Sequence, residues 1–150
     1  MESLKKAVFI VTVSLFIGGC ASTRQYVPLP DQSKTIENPD KARIYVMRPT
    51  VFGAAISMSV QDGDKAIGKT GPNGYLSWER DPGQALISSK AENTYSLDVD
   101  VEKGMTYYIL QHVRTGFWIA RTKLELLSLS KGLEALKNCK APTVVPEPAK

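Results

Sequence analysis

Between residues 42 and 124 the chain alternates short apolar-rich runs with turn-forming residues, which predicts a series of β-strands. The first run covers residues 42–48 and is closed by Pro49; the second covers residues 55–60 and is followed by Asp62-Gly63. Residues 65–69 lead to Pro72-Asn73-Gly74, and residues 75–78 to Asp81-Pro82-Gly83. Asn-Gly and Asp-Gly favour the positive backbone angles of tight hairpins, so these dipeptides mark strand ends. Residues 86–90 form the next strand and residues 95–101 the clearest one. There Tyr95, Leu97, Val99 and Val101 alternate with Ser96, Asp98 and Asp100, which sends one apolar face inward and one charged face outward. Gly104 breaks that run, and residues 105–114 and 117–124 predict a final hairpin turning at Thr115-Gly116. Leu129, Leu133 and Leu136 then recur at helical spacing, which predicts a short amphipathic helix over residues 128–139, although Gly132 sits inside it. Short strands at this even spacing build an all-β sandwich or barrel.

The flanks read differently. Residues 21–40 hold Pro28, Pro30 and Pro39 among polar residues without sustained apolar periodicity. This predicts a flexible tether over residues 20–40, reaching roughly 65 Å when extended and averaging roughly 25 Å as a coil. Residues 140–150, with Pro142, Pro146 and Pro148, predict a disordered tail, leaving residues 41–139 as the domain. At the start, Lys5 and Lys6 precede residues 7–17, which are apolar apart from Thr12 and Ser14, and Gly18-Gly19-Cys20 follows. The run is shorter than the about 20 residues needed to span a bilayer. A basic start, an apolar stretch and small residues at its end predict a signal segment over residues 1–19, cleaved between Gly19 and Cys20.

Composition narrows the function. Loss of residues 1–19 removes Lys5, Lys6 and Glu2, leaving 131 residues whose formal charge falls from +4 to +3. That length suits one domain with a proper core. The mild basicity does not imply nucleic acid. Cysteine occurs only at positions 20 and 139, so modification of Cys20 leaves Cys139 without an intramolecular partner, either as a buried thiol or as a site for intermolecular pairing.

Several motifs resemble catalytic ones and fail on context. Gly63-Asp-Lys-Ala-Ile-Gly68-Lys69-Thr70 fits the phosphate-loop pattern, but Gly71-Pro72-Asn73-Gly74 follows at once and forbids the helix whose amides would hold phosphate. Ser128-Leu129-Ser130-Lys131 and Lys69-Thr70-Gly71 fit two motifs of penicillin-binding enzymes in the wrong order, without the third. Asp98, Asp100 and Glu102 share a charged strand region with no second group positioned against them. Asp62-Gly63-Asp64 lacks the other ligands of a calcium loop. A single histidine, His112, excludes a multi-histidine zinc site from this chain alone and leaves no compelling base for a nucleophile. The chain is expected not to be an enzyme and to carry no metal or cofactor.

The last hairpin offers the one candidate surface. With a two-residue turn, Arg114 pairs with Phe117 and Val113 with Trp118. Tyr107, Ile109, Val113, Trp118, Ala120 and Leu124 then face the core, while Tyr108, His112, Arg114, Phe117, Arg121 and Lys123 face outward. Aromatic rings interleaved with cations suit an anionic polymer, a glycan or a partner protein. The competing reading is an exposed face shielded by its basic residues, or one covered in part by the short helix.

Ile17-Gly18-Gly19-Cys20 resembles the lipobox of bacterial lipoproteins. The resemblance implies that Cys20 takes a thioether-linked diacylglycerol and becomes the acylated first residue, its covalent lipid standing in place of any cofactor. Multiple chains give stable anchoring at about 0.8 kcal/mol per buried CH2. Ala21, where aspartate would mark inner-membrane retention, resembles the pattern for sorting to the outer membrane, facing the periplasm. Together with Ala42-Arg-Ile-Tyr-Val-Met-Arg-Pro49, Pro82-Gly83 and Gly104-Met-Thr-Tyr107-Tyr108, the lipobox resembles a family of small bacterial lipoproteins known only as a domain of unknown function, over roughly residues 40–137. The turns are also similar to those of surface-layer-type and transthyretin-like β-domains. The implied fold is a single antiparallel β-sandwich, transthyretin-like or immunoglobulin-like, with one short C-terminal helix. The expected role is a non-catalytic binding or scaffolding module of the cell envelope, with an envelope protein as partner; the alternatives are a module that binds peptidoglycan or another cell-wall glycan through the aromatic and basic face and, behind it, a small envelope hydrolase.

Overall fold

The computed structural model describes residues 20–149, so the expected signal segment and Gly19 of its cleavage position lie outside the described residues. In chain order the elements are β1 (Arg24–Gln25), β2 (Ala42–Arg48), β3 (Met58–Asp62), β4 (Lys65–Thr70), β5 (Gly74–Arg80), β6 (Gly83–Lys90), β7 (Thr94–Val101), β8 (Thr106–Thr115), β9 (Ala120–Leu127), α1 (Leu129–Lys137) and β10 (Thr143–Val144). Two sheets face each other, one ordered β10-β1-β4-β3-β6-β7 and the other β5-β2-β8-β9. This is the expected β-sandwich with one short C-terminal helix. The apolar positions of both inner faces meet in one core, including Ile44, Val46, Leu76 and Ile109 from the smaller sheet and Val60, Ile67, Ile87 and Val99 from the larger.

Pairing departs from the all-antiparallel expectation in two places. At the centre of the smaller sheet β2 runs parallel to β8, with Ile44 opposite Tyr107 and Val46 opposite Ile109. At the edge of the larger sheet β1 runs parallel to β10. Local turn chemistry reveals hairpins only, and parallel neighbours need long crossovers that leave no mark in a short window. The Pro72-Asn73-Gly74 turn likewise carries the chain from one sheet to the other and does not close a hairpin.

The expected tether is part of the fold. Arg24 and Gln25 pair with Lys69 and Gly68, and Val27 joins the core. Gln25 is fully buried: its Nε2 donates to the Ser77 carbonyl at 2.8 Å and its Oε1 accepts from the Ser77 amide at 2.9 Å. The side-chain amide thus satisfies β5 where that edge strand has no neighbour. Three small residues make the approach possible, since a Cβ on Gly68, Gly71 or Gly74 would collide with Arg24, Ala21 or Thr23. A two-residue strand has no periodicity to read, which is why composition alone suggested a coil.

The expected disordered tail is also partly ordered. The Thr143 amide donates to Thr23 O at 3.1 Å and the Val145 amide to Gln25 O at 2.8 Å. Deleting residues 141–150 is therefore expected to cost about 1 kcal/mol in urea unfolding, as two exposed-edge backbone bonds and a partly covered strand are lost. An unchanged midpoint would show that this edge pairing contributes nothing.

A third layer covers the outer face of the smaller sheet. Tyr45, Met47, Tyr75 and Tyr108 pack beneath Leu29, Leu127, Ala135, Leu136 and Cys139, so every residue of β2 is buried. The Tyr45 and Tyr108 rings stack at 5.3 Å with planes 6° apart, and Tyr75 meets Tyr45 edge-on at 5.7 Å. Gly132, which weakened the helix in the sequence, faces the Tyr108 ring, where any side chain would collide. The glycine's helix cost of about 1 kcal/mol accompanies closure of α1 onto the tyrosines.

Candidate functional site

The β8–β9 hairpin closes differently from the two-residue expectation. Thr115 pairs with Ala120, so residues 116–119 form a four-residue tip, and Arg114 lies opposite Arg121. The cause sits on a distant turn. The Glu92 carboxylate accepts the amides of Phe117, Trp118 and Ile119 at 3.0, 3.1 and 3.1 Å, so these residues bend around an anion and do not join the ladder. Those amides hold the Glu92 carboxyl below its usual pKa. Because the register moves by an even number of residues, the two faces keep their identities.

The structure divides the predicted binding face. His112, Arg114, Arg121 and Lys123 share the outer side of the hairpin, with His112 opposite Lys123. Tyr108 lies on the same side but is only 6% exposed beneath α1, so it offers no ring for stacking. Phe117 leaves the sheet and is 81% exposed at the tip. Trp118, expected in the core, is 83% exposed and packs edge-on against Phe117 at 4.8 Å. The face is therefore cationic with an aromatic tip, and the expected interleaving of rings and cations is not formed.

His112 Nε2 meets Glu125 Oε2 at 2.6 Å, and this hydrogen bond holds Glu125 below the usual carboxylate range. Arg114 and Arg121 are exposed, face each other with like charge and take no ion pair among the described residues.

The other motifs are absorbed into structure. The phosphate-loop-like run forms the turn at Gly63-Asp64 and strand β4, with no helix at its end. Thr70 Oγ1 donates to Gln111, whose Nε2 donates to Ser89 Oγ at 2.6 Å, and Ser89 meets Thr122 at 2.8 Å. This buried polar chain ties both sheets together with its partners satisfied. Ser128 is the N-cap of α1. Asp62 accepts from Trp78 Nε1 at 2.9 Å and pairs with Arg80, which accounts for the carboxylate before the turn. Among the described residues no group of three His, Cys, Asp or Glu side chains gathers as a metal site requires. Burial among the tyrosines pushes the Cys139 thiol up to about 11, which suppresses the thiolate needed for disulfide exchange.

Cys20 is exposed and directly abuts the fold, since the Ala21 amide donates to Ala54 O at 2.7 Å. Sequence reasoning missed this proximity because it placed a spacer of some twenty residues between Cys20 and the first strand.

Over 133 residues the chain is 27% identical to an uncharacterized protein of Haemophilus influenzae, a match covering 86% of this chain and 79% of that relative. Residues 38–122, which run from the approach to β2 into β9 and so hold most of the sandwich core and the hairpin as far as Thr122, match the family described as "Protein of unknown function (DUF2846)", and the chain belongs to that family.

Proposed function

We propose that the protein is an outer-membrane lipoprotein of the bacterial envelope, anchored through acylated Cys20, whose sandwich acts on the periplasmic side as a non-catalytic binding or scaffolding module. The observation that carries the reading is Ile17-Gly18-Gly19-Cys20 at the end of an apolar run, with Cys20 immediately preceding the residue at which the fold begins. A non-catalytic role fits the way the catalysis-like motifs lie in a strand, a turn and the start of a helix. A protein partner is favoured over a stacked glycan, because the tyrosine that would have supplied a platform beside the hairpin cations is covered by α1.

Cys20→Ser is expected to move the protein from the membrane fraction to the soluble fraction or to leave an uncleaved precursor, while the native chain gains the mass of its acyl groups. A mature, membrane-bound chain without lipid would overturn the anchor. Cross-linking in intact envelopes, followed by recovery of the native chain, is expected to return a reproducible protein partner that is lost in Lys123→Glu, a change on the outer side of the hairpin away from its tip. Retention on purified cell-wall polymer in its place would overturn the scaffolding role.

A further inference from the structure

The register of the strands places distant segments at one end of the sandwich. There β2, β4, β6 and β8 finish, and β3, β5, β7 and β9 begin. The N-terminal segment enters at this same end, since Arg24 pairs with Lys69 one residue before β4 stops. Ser57 and Lys69 line a recess with Ala21 and Arg24, and the same two residues line a second recess with Ile56 and Ile119. The surface is thus continuous from the residue after Cys20 to the hairpin tip.

Two properties set this end apart. It carries Val51, Phe52, Phe117, Trp118 and Ile119, all exposed, with Trp118 and Phe117 the most exposed large apolar side chains of the described residues. It also carries Arg24, Lys69, Lys90, Arg114 and Arg121, exposed cations that take no ion pair among the described residues. At the opposite end three cations are matched, Lys41 with Asp81, Lys103 with Asp40 and Arg80 with Asp62, and Lys65 is the exposed cation there that takes no ion pair among the described residues. Glu92, the acid nearest the tip, is already engaged by three amides of the tip itself.

We propose that this end of the sandwich lies directly on an anionic phospholipid bilayer, with Phe117, Trp118 and Ile119 inserted at headgroup depth and Arg114 and Arg121 against the phosphates. The inference rests on the lipid-anchor reading for which bilayer is meant. Aromatic side chains favour the membrane interface, and arginines a residue or two behind them extend to phosphate level. An acylated Cys20 adjoining Ala21 holds this end within about one residue length of the headgroups, roughly 4 Å of chain. A domain on a long tether would have no fixed orientation. Here the anchor, the apolar tip and the unmatched cations point the same way, while the paired charges face away. Glu92 is a positioning residue, since its carboxylate shapes the tip that inserts.

The test uses the full mature chain with vesicles of phosphatidylethanolamine and phosphatidylglycerol, some carrying brominated acyl chains. Trp78 is buried and serves as an internal reference. In the acylated protein, bromolipid is expected to quench the Trp118 emission, identified by its loss in Trp118→Phe, and to protect it from aqueous iodide. The non-acylated Cys20→Ser chain is expected to bind these vesicles weakly, with partitioning reduced about ten-fold by Trp118→Ser and abolished by Arg114→Gln/Arg121→Gln. If Cys20 is acylated and Trp118 stays open to iodide, the apposed end is overturned and the anchor stands. If Cys20 carries no lipid yet Trp118 is quenched by bromolipid, the anchor falls and the apposed end stands. Equal binding of the arginine variant to phosphatidylglycerol vesicles overturns the role of the cations.

Discussion

Glu79→Ala is expected to lower the unfolding free energy by about 3 kcal/mol at neutral pH, because it leaves the buried Arg43 guanidinium without its counter-charge. Arg43 has no exposed side-chain surface and donates through Nε and Nη2 to Glu79 Oε1 at 3.2 and 2.9 Å. Its Nη1 donates to the carbonyls of Lys34 and Asp31 at 2.6 and 3.1 Å, and Glu79 accepts the amides of Glu37 and Asn38 at 2.6 and 3.0 Å. One ion pair on the outer face of the smaller sheet therefore fastens the segment from Asp31 to Asn38, and its loss frees backbone groups as well as a charge. Urea unfolding measures the effect, and a change under about 0.5 kcal/mol would show that the segment is held by other contacts. Arg43→Met/Glu79→Met is expected to recover part of the loss, since it removes both charges together.

The same pair sets a pH dependence. Burial opposes ionisation of Glu79, but the Glu37 and Asn38 amides and the Arg43 guanidinium outweigh it, so the folded carboxyl lies below its ordinary value of 4.5. A folded pKa below the unfolded one means the unfolded chain binds the proton first. The contribution is complete above the ordinary value and is lost as pH falls through the folded one. The stability gap between the native chain and Glu79→Gln is thus expected to narrow on acidification below about pH 4.5 and to be constant between neutral pH and that point. A gap that widens on acidification would show that the carboxyl is destabilised in the fold.

How much was legible follows from where the information lies. The strand over residues 42–48 and the alternating one over residues 95–101 were readable because each carries its pattern within one short window, and β2 and β7 match them to within a residue. The two sides of the last hairpin were readable through parity, which survives an even shift in register. The tip itself was not, since Glu92 acts on it from 25 residues away. The segment before β2 was misread for a related reason: Gln25 does the work of a strand through one side chain, at a partner 52 residues distant. The arginines in β2 did hold a usable signal. Arg43 and Arg48 are five apart and so point to opposite faces, and in a strand this apolar both had to find buried partners. Of the candidate binding residues, the four that remain together are those whose placement depended on parity alone. Tyr108 was lost to the helix, whose docking turns on Gly132.

Arg48→Met is expected to cost about 3 kcal/mol and to loosen the chain between β2 and β3. Arg48 lies on the inner side of β2, fully buried, and meets no carboxylate among the described residues. Its Nη1 donates to Ile56 O at 2.6 Å and Thr70 O at 3.3 Å, and its Nη2 to Phe52 O at 3.1 Å and Gly53 O at 2.7 Å. Burial lowers its pKa from the very high value usual for arginine, and the four carbonyl dipoles solvate the charge in place of water. Methionine fills similar space but donates nothing, so carbonyls that now share one cation must recruit water or lose their bonds. Lysine is expected to recover less than half the loss, because one ammonium cannot reach two pairs of carbonyls that the planar guanidinium spans with two nitrogens. Two readings check this: the urea midpoint, and amide exchange over residues 50–57, where faster exchange in Arg48→Met is expected. The segment carries Val51 and Phe52 and accepts the Ala21 amide at Ala54, so the same variant is expected to loosen the start of the fold next to Cys20. Full stability in Arg48→Met, with unchanged exchange there, would show that Pro49 and the packing of Gly53 hold this loop without the cation.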